Sequence, residues 1–312
     1  RPYVKIDLKL RGKKIEDIAV PPTMDDTPAN RSFLADYFVE IEWFDTHLGR
    51  MLELLEQRGE LENTIVVVTG DNGSPIARAK GELYEYGVHV PLAIMWRRRI
   101  RAGRVVDDLV SFVDLAPTFL EAAGLKPLQE MTGRSLMPAL LSRRSGRLDR
   151  SRKFILLGQE RGSHVRYDNL GYPMRAIRTG RYLYIMNLKP DRWPQGDPPG
   201  LLRDENGVPR GTVAEESLPR EARKRPPEEL YDVVRDPACL ENLANHDKLR
   251  ALGRGLRRRL TAELTRQGDP RMLGCGDIWE SYPRFGPMNP ALGGFSKRGE
   301  YSPKYQRTAE GK

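Results

Sequence analysis

Apolar side chains recur every three or four positions from Leu34 through Tyr37, Ile41, Phe44, Leu48 and Met51 to Leu55. That period places them on one face of an α-helix. Thr27-Pro28 supplies an N-cap and a first-turn proline, and Gly59 a stop. The pattern then changes. Ile65-Val66-Val67-Val68 is an unbroken β-branched run, which predicts a strand buried on both faces, as in a parallel sheet. It ends at Gly70-Asp71-Asn72-Gly73, and a second apolar run, Val90-Pro91-Leu92-Ala93-Ile94, follows. Helix, strand, loop and strand make an α/β alternation.

Further on, Val113–Leu120, closed by Gly124, and Gly133–Leu141 read as short packing helices. Ser142–Arg152 is polar and arginine-rich, the best boundary in the chain. Beyond it Phe154–Leu157 predicts a strand, and Arg175–Thr179 with Arg181–Met186 a hairpin around Gly180. Residues 194–228 are rich in proline, glycine and charge and read as a long surface loop. Leu249, Leu252, Leu256, Leu260 and Leu264 mark a last helix. From Asp269 on no regular element is expected. The predicted organisation is an α/β main part over 1–145, a smaller, mainly antiparallel part over 146–268, and an irregular tail over 269–312.

Composition narrows the class. Hydrophobic residues make up 39% and charged residues 30% of 312 positions, as in a globular chain. No apolar run approaches the roughly 20 residues needed to span a bilayer. Fifty-two Lys plus Arg against 43 Asp plus Glu leave a net charge of +9, which attracts polyanions. No motif interleaves the basic clusters Arg97-Arg98-Arg99 and Arg257-Arg258-Arg259 with aromatics, so nucleic acid is not expected and both clusters read as solvated faces. Cys239 and Cys275 allow one disulfide or two free thiols; neither stands in a C-x-x-C. Oligomeric state is not indicated.

Candidate chemistry gathers after the β-branched run. Asp71 and Asn72 offer hard oxygens at the end of a strand, where open α/β sheets keep their ligands, and suit Ca²⁺ or Mg²⁺. Lys80 follows nine positions later, then Tyr84 and Gly87. Asp25-Asp26, ahead of a helix cap, reads as a solvated pair, and His47 as a packing residue on the helix. His89 receives no role.

The string D-N-G, a basic residue before glycine, Y-E-x-G and x-V-P-L resembles the C-terminal signature of the sulfatase family. V-D-L-x-P-T at Val113, G-x-S-L-x-P at Gly133 and E-L-Y-D…D-P…N-L-A from Glu229 to Ala244 extend the resemblance over residues 20–265. The short D-N-G-to-Lys gap is most similar to the heparan N-sulfatase (sulfamidase) branch. The resemblance implies an alkaline-phosphatase-like fold, a divalent metal site, usually Ca²⁺, completed by Asp71 and Asn72, and Lys80 on the sulfate oxygens. It also implies a sulfated carbohydrate as substrate, and a periplasmic, secreted or lysosomal location. GQERGSHVRYDNLGYPMRAIRT resembles a sulfamidase stretch, making His164 a candidate substrate contact or leaving-group acid and Arg175 a candidate substrate contact. Gly162 stands where relatives carry a histidine.

The family's nucleophile is a formylglycine made from Cys or Ser in C/S-x-P-S-R. Neither Cys239 nor Cys275 has that setting, and the family's Asp pair and Lys-x-His element are not identifiable. The chain is expected to be the C-terminal portion of a sulfatase, inactive alone. Two alternatives stand beside it: a phosphoryl-transfer member of the same superfamily, and a non-catalytic polyanion-binding homologue.

Overall fold

The computed structural model describes residues 14–162, 165–166, 170–198, 201–203, 209–210 and 213–280. They fall into two compact units. One runs up to Lys80 and resumes at His89–Ile155; the other takes Gly81–Val88 and the chain from Leu156 onward.

The first unit starts with helix α1, Pro28–Gln57. Thr27 caps it as the sequence predicts: its Oγ1 accepts from Asn30 N at 3.2 Å, with proline at the first helical position. Gly59 ends the element at φ 71°, a conformation open to glycine without a Cβ penalty. Only the first part of the apolar face is buried. Leu34 and Ala35 pack against Ile18, Val20, Met24 and Ile76, whereas Ile41, Phe44 and Met51 are 47%, 49% and 50% exposed. The period therefore identified the face correctly, but not how far along the helix a partner covers it.

Strand β1, Val66–Thr69, corrects a second expectation. Its partner β2, Leu92–Met95, runs antiparallel, with Val66 opposite Met95 and Thr69 opposite Leu92, and Val66–Val68 are half-buried rather than closed on both faces. A β-branched run reports strand propensity and apolar surroundings; it does not carry the direction of the neighbouring strand. The connection between these strands holds the one-turn helix α2, Glu85–Val88, which belongs to the second unit.

Helices α3, Leu115–Ala122, and α4, Met137–Leu141, complete the first unit. Asp114 is fully buried and accepts from Ser111 N (2.8 Å), Arg134 N (2.8 Å) and Arg152 Nη1 (2.5 Å). Thr118 Oγ1 then accepts from Leu136 N at 2.8 Å. The V-D-L-x-P-T and G-x-S-L-x-P segments are thus stitched to each other by hydrogen bonds, and they are packing elements. Gly133 is required there: a Cβ would lie 1.9 Å from Val113 O.

The second unit is built on a four-stranded sheet. Its strands β3, β4 and β5 are Phe154–Gln159, Met174–Thr179 and Tyr182–Asn187; a short β6–β7 ladder pairs Leu202–Arg203 with Pro209–Arg210, and β8, Glu228–Asp232, closes the sheet in the order β3-β4-β5-β8. The hairpin predicted around Gly180 is present, with Arg178 opposite Leu183. Strand β8 lies antiparallel against β5. Tyr172, Met174, Ala176, Leu183, Ile185, Tyr231, Val233 and Cys239 form the core, together with Leu83 and Tyr84. Helix α5, Arg250–Arg266, buries Leu256, Leu260 and Leu264. Both cysteines are free thiols.

Residues 269–280 have little regular structure beyond a 3-10 turn at Gly276–Glu280, yet they are docked by charge. Arg271, 4% exposed at its side chain, holds Glu160 at 2.7 Å, and Glu280 receives Arg192 at 2.8 Å.

Candidate functional site

The site is built where β1 ends. Thr69 Oγ1 donates to Pro91 O at 2.7 Å and pins the strand's last residue to the start of β2. The chain then turns through a buried Gly73, leaving Asp71 exposed and Asn72 half-buried, with Asn72 Nδ2 donating to Gly73 O at 2.8 Å. Two backbone bonds fold the next stretch back on itself: Ile76 N and Lys80 N both donate to Ser74 O, at 2.8 and 3.1 Å. Ser74–Lys80 is therefore a closed loop, and Lys80 emerges from it exposed to solvent. An exposed ammonium of this kind can hold a tetrahedral oxyanion. Between them Arg78 sits at φ 60° and is 8% exposed. A non-glycine residue in that region is strained, and nothing in the one-letter pattern shows it.

Directly after Lys80 the chain enters the second unit for eight residues, Gly81–Val88, held by three buried polar contacts. Glu82 pairs with Arg225 through two bonds of 2.8 Å. Tyr84 Oη donates to Glu229 Oε2 at 2.9 Å. Glu85 pairs with Arg178 at 2.7 and 2.8 Å. Sequence reasoning assigned Y-E-x-G to a motif without giving these acids partners. The available signal was their density, two glutamates flanking two buried apolar positions, Leu83 and Tyr84, since a buried carboxylate needs a cation.

Arg175 is 6% exposed and all five of its N–H donors are engaged. It bonds Asp269 at 2.5 and 3.1 Å, Glu160 at 2.6 Å, and the carbonyls of Gln159 and Met174 at 3.3 and 2.9 Å. This is the bonding of a structural arginine; no donor remains for a substrate. His164 lies outside the described residues. Nearby Arg166 spends its guanidinium on the carbonyls of Trp193 and Pro194, and burial pulls it down to about 10.

Asp71 and Asn72 would supply two hard oxygens of the 6–8 that Ca²⁺ takes. Among the described residues no group of three or more His, Cys, Asp or Glu side chains could hold an ion. The corner therefore fits a part of a coordination sphere and does not complete one. His47 packs edge-on against Trp43, with ring centroids 4.8 Å apart, in keeping with a packing role. Asp26 is salt-bridged to Arg31 at the surface.

Comparison with known proteins places this geometry. Residues 15–125 match the family model described as Sulfatase, and residues 79–193 the model described as N-sulphoglucosamine sulphohydrolase, C-terminal. An ulvan-active sulfatase of Formosa agariphila is 30% identical over 265 residues, covering 81% of this chain and 42% of the relative. The human N-sulphoglucosamine sulphohydrolase is 30% identical over 275 residues, covering 81% and 52%. A solved structure in complex with its substrate D-glucosamine-2-N,6-O-disulfate superposes with a TM-score of 0.58 at 21% identity, covering 84% of this chain and 45% of that one. At that identity the likeness establishes the fold, alkaline-phosphatase-like and mixed α/β. The chain spans about half the length of the curated relatives it matches. No described helix is long and apolar enough to cross a membrane. With the D-N-G corner and the Lys80 loop inside the matched residues 15–125, the chain belongs to the sulfatase family.

Proposed function

We propose that the natural protein carrying this chain hydrolyses the sulfate ester or N-sulfate of a sulfated carbohydrate, the N-sulfatase branch being favoured. The observation that carries this reading is the strand-end connection that leaves Asp71 and Lys80 exposed and Asn72 half-buried, with Ser74–Lys80 closed by backbone bonds. It lies within both the sulfatase match and, from Ala79 on, the sulphohydrolase match.

Lys80 binds the nonbridging sulfuryl oxygens and stabilises the charge that moves onto them as the S–O or S–N bond breaks. Asp71 and Asn72 contribute oxygens to a divalent cation, Ca²⁺ in this reading, whose remaining ligands come from outside the described residues. Such an ion, when bound, polarises the sulfate and lowers the pKa of the attacking group. No C/S-x-P-S-R occurs in the 312 residues, so no residue of this chain is assigned as the formylglycine nucleophile. We expect the isolated chain to show no turnover, and the natural protein to work in a secreted, periplasmic or lysosomal compartment. The test is turnover of N-sulfated and O-sulfated glucosamine by the natural protein, with and without a chelator. Desulfation that falls on chelation and returns with Ca²⁺ supports the reading; phosphoryl-ester hydrolysis in its place would replace it with the phosphoryl-transfer alternative.

A further inference from the structure

A second charged surface lies in the first unit, built from two loops that meet at the C-terminal end of α4. Residues 97–104 follow β2, and residues 142–147 follow the helix. Val106 and Gly146 form a parallel bridge; Gly146 N donates to Val105 O at 2.8 Å and Asp107 N to Gly146 O at 3.1 Å. Arg104 locks the two loops together. Its guanidinium donates to the carbonyls of Ala139 (3.1 Å), Leu140 (2.6 Å) and Arg144 (2.9 Å), which closes the C-terminal end of α4, and its Nε to Arg101 O at 3.4 Å. Arg101 Nη1 reaches Arg143 O at 3.5 Å.

These bonds bring Arg101, Arg104, Arg143 and Arg144 onto one surface. All of Arg104's partners are carbonyls, so its charge is not neutralised. Arg101, Arg143 and Arg144 are exposed and make no ion pair among the described residues, and exposed Arg98, on the same loop, makes none either. Arg97 differs: Glu56 takes it at 2.7 Å. Neither loop contains a carboxylate; the exposed one just beyond them is Asp107, whose Oδ2 lies 3.9 Å from an ideal Cβ on Gly146. Like charges gathered this closely repel one another, and a bound polyanion relieves that repulsion.

We propose that this arginine surface is a docking site for an extended sulfated polysaccharide, separate from the Lys80 loop. Guanidinium forks match sulfate oxygens in a bidentate way. Single-stranded nucleic acid is disfavoured because its binders interleave basic residues with stacking aromatics. Residues 97–107 and 142–147 contain no aromatic, and neighbouring Trp96 is 7% exposed with the Arg99 guanidinium 5.0 Å over its ring. The choice of a glycan rests on the sulfatase reading above; the site itself rests on the arginines.

The test is retention of the purified 312-residue chain on immobilised heparin. Arg143→Glu/Arg144→Glu is compared with Arg254→Glu/Arg258→Glu, an equal charge change on exposed α5 residues. Arg143→Gln/Arg144→Gln, which removes charge without reversing it, guards against misfolding, monitored by the thermal midpoint. We expect the loop variants to lose about tenfold or more in affinity. Their slope of log affinity against log salt should become shallower by about two, near one unit per lost contact. The α5 variant should stay near wild type. Equal losses in both double variants, or none in either, would overturn the site; displacement of heparin by a single-stranded oligonucleotide of matched charge as readily as by free heparin would overturn its assignment to a glycan. Normal desulfation by Lys80→Ala in the natural protein would instead overturn the catalytic reading and leave this surface standing.

Discussion

Glu82 and Arg225 lie 143 residues apart in sequence and meet through two parallel 2.8 Å bonds, with side chains 9% and 7% exposed. The Arg225 guanidinium also stacks over Tyr84 and Tyr172, at 5.1 and 5.8 Å from the ring centroids. Burial works against its charge; the surrounding Tyr84, Glu82 and Glu229 more than offset this, so its pKa is raised and it stays protonated. This pair fixes the first residues after Lys80 into the second unit.

Removing one partner leaves the other charge buried and unpaired, at a cost of about 3–5 kcal/mol. Glu82→Met should therefore destabilise the chain by that amount in urea unfolding. The double variant Glu82→Met/Arg225→Met should be less destabilised than Glu82→Met alone, since it removes the stranded charge. A double variant worse than the sum of both singles would contradict the account.

Acid should loosen the second unit in a defined window. At Glu280 burial raises the pKa, but the bonds from Arg192 and Gly171 N–H and the charge of Arg161 bring it below the ordinary 4.5. At Asp269 burial likewise raises it, and Arg175 and the Arg271 N–H bring it below 3.8. A depressed carboxylate stabilises the fold above its ordinary pKa and ceases to do so as pH falls through the folded value. Stability should be nearly level from pH 7 to about 5 and fall below about 4. Glu280→Gln should flatten part of that fall; an unchanged acid slope would show that the carboxylate does not carry it.

Arg175 should behave as a structural residue. Arg175→Gln leaves Asp269 and Glu160 with far fewer donors, and a loss of about 3–5 kcal/mol is expected for breaking a buried pair. Substrate affinity of the natural protein, measured on molecules that remain folded, should hold. The reverse pattern, intact stability with a raised KM, would restore Arg175 to the substrate site.

Much of the fold was legible because it rests on local signals. The Thr27 cap and the Leu34–Leu55 period gave α1, Gly180 gave the β4–β5 hairpin, and the leucine period gave α5. What was not legible depends on partners distant in the chain. Nothing local to Val66–Val68 states that β2 returns antiparallel, or where along α1 packing stops. Arg175 read as a ligand because its carboxylate partners, Glu160 and Asp269, lie 15 and 94 residues away. The docking of residues 269–280 escaped notice for the same reason: buried ion pairs, with no apolar period, hold them. The family was legible because its residue types recur at fixed spacing along the chain, from D-N-G at Asp71 onward.

The most direct test of the central claim is the activity of Lys80→Ala in the natural protein that carries this chain. Turnover of an N-sulfated glucosamine saccharide should fall in kcat/KM by about tenfold or more, the usual loss when an electrostatic contact to the transition state is removed. The thermal midpoint should not move, since Lys80 is exposed. Unchanged catalysis by a folded Lys80→Ala protein would contradict the placement of the sulfate site at this loop.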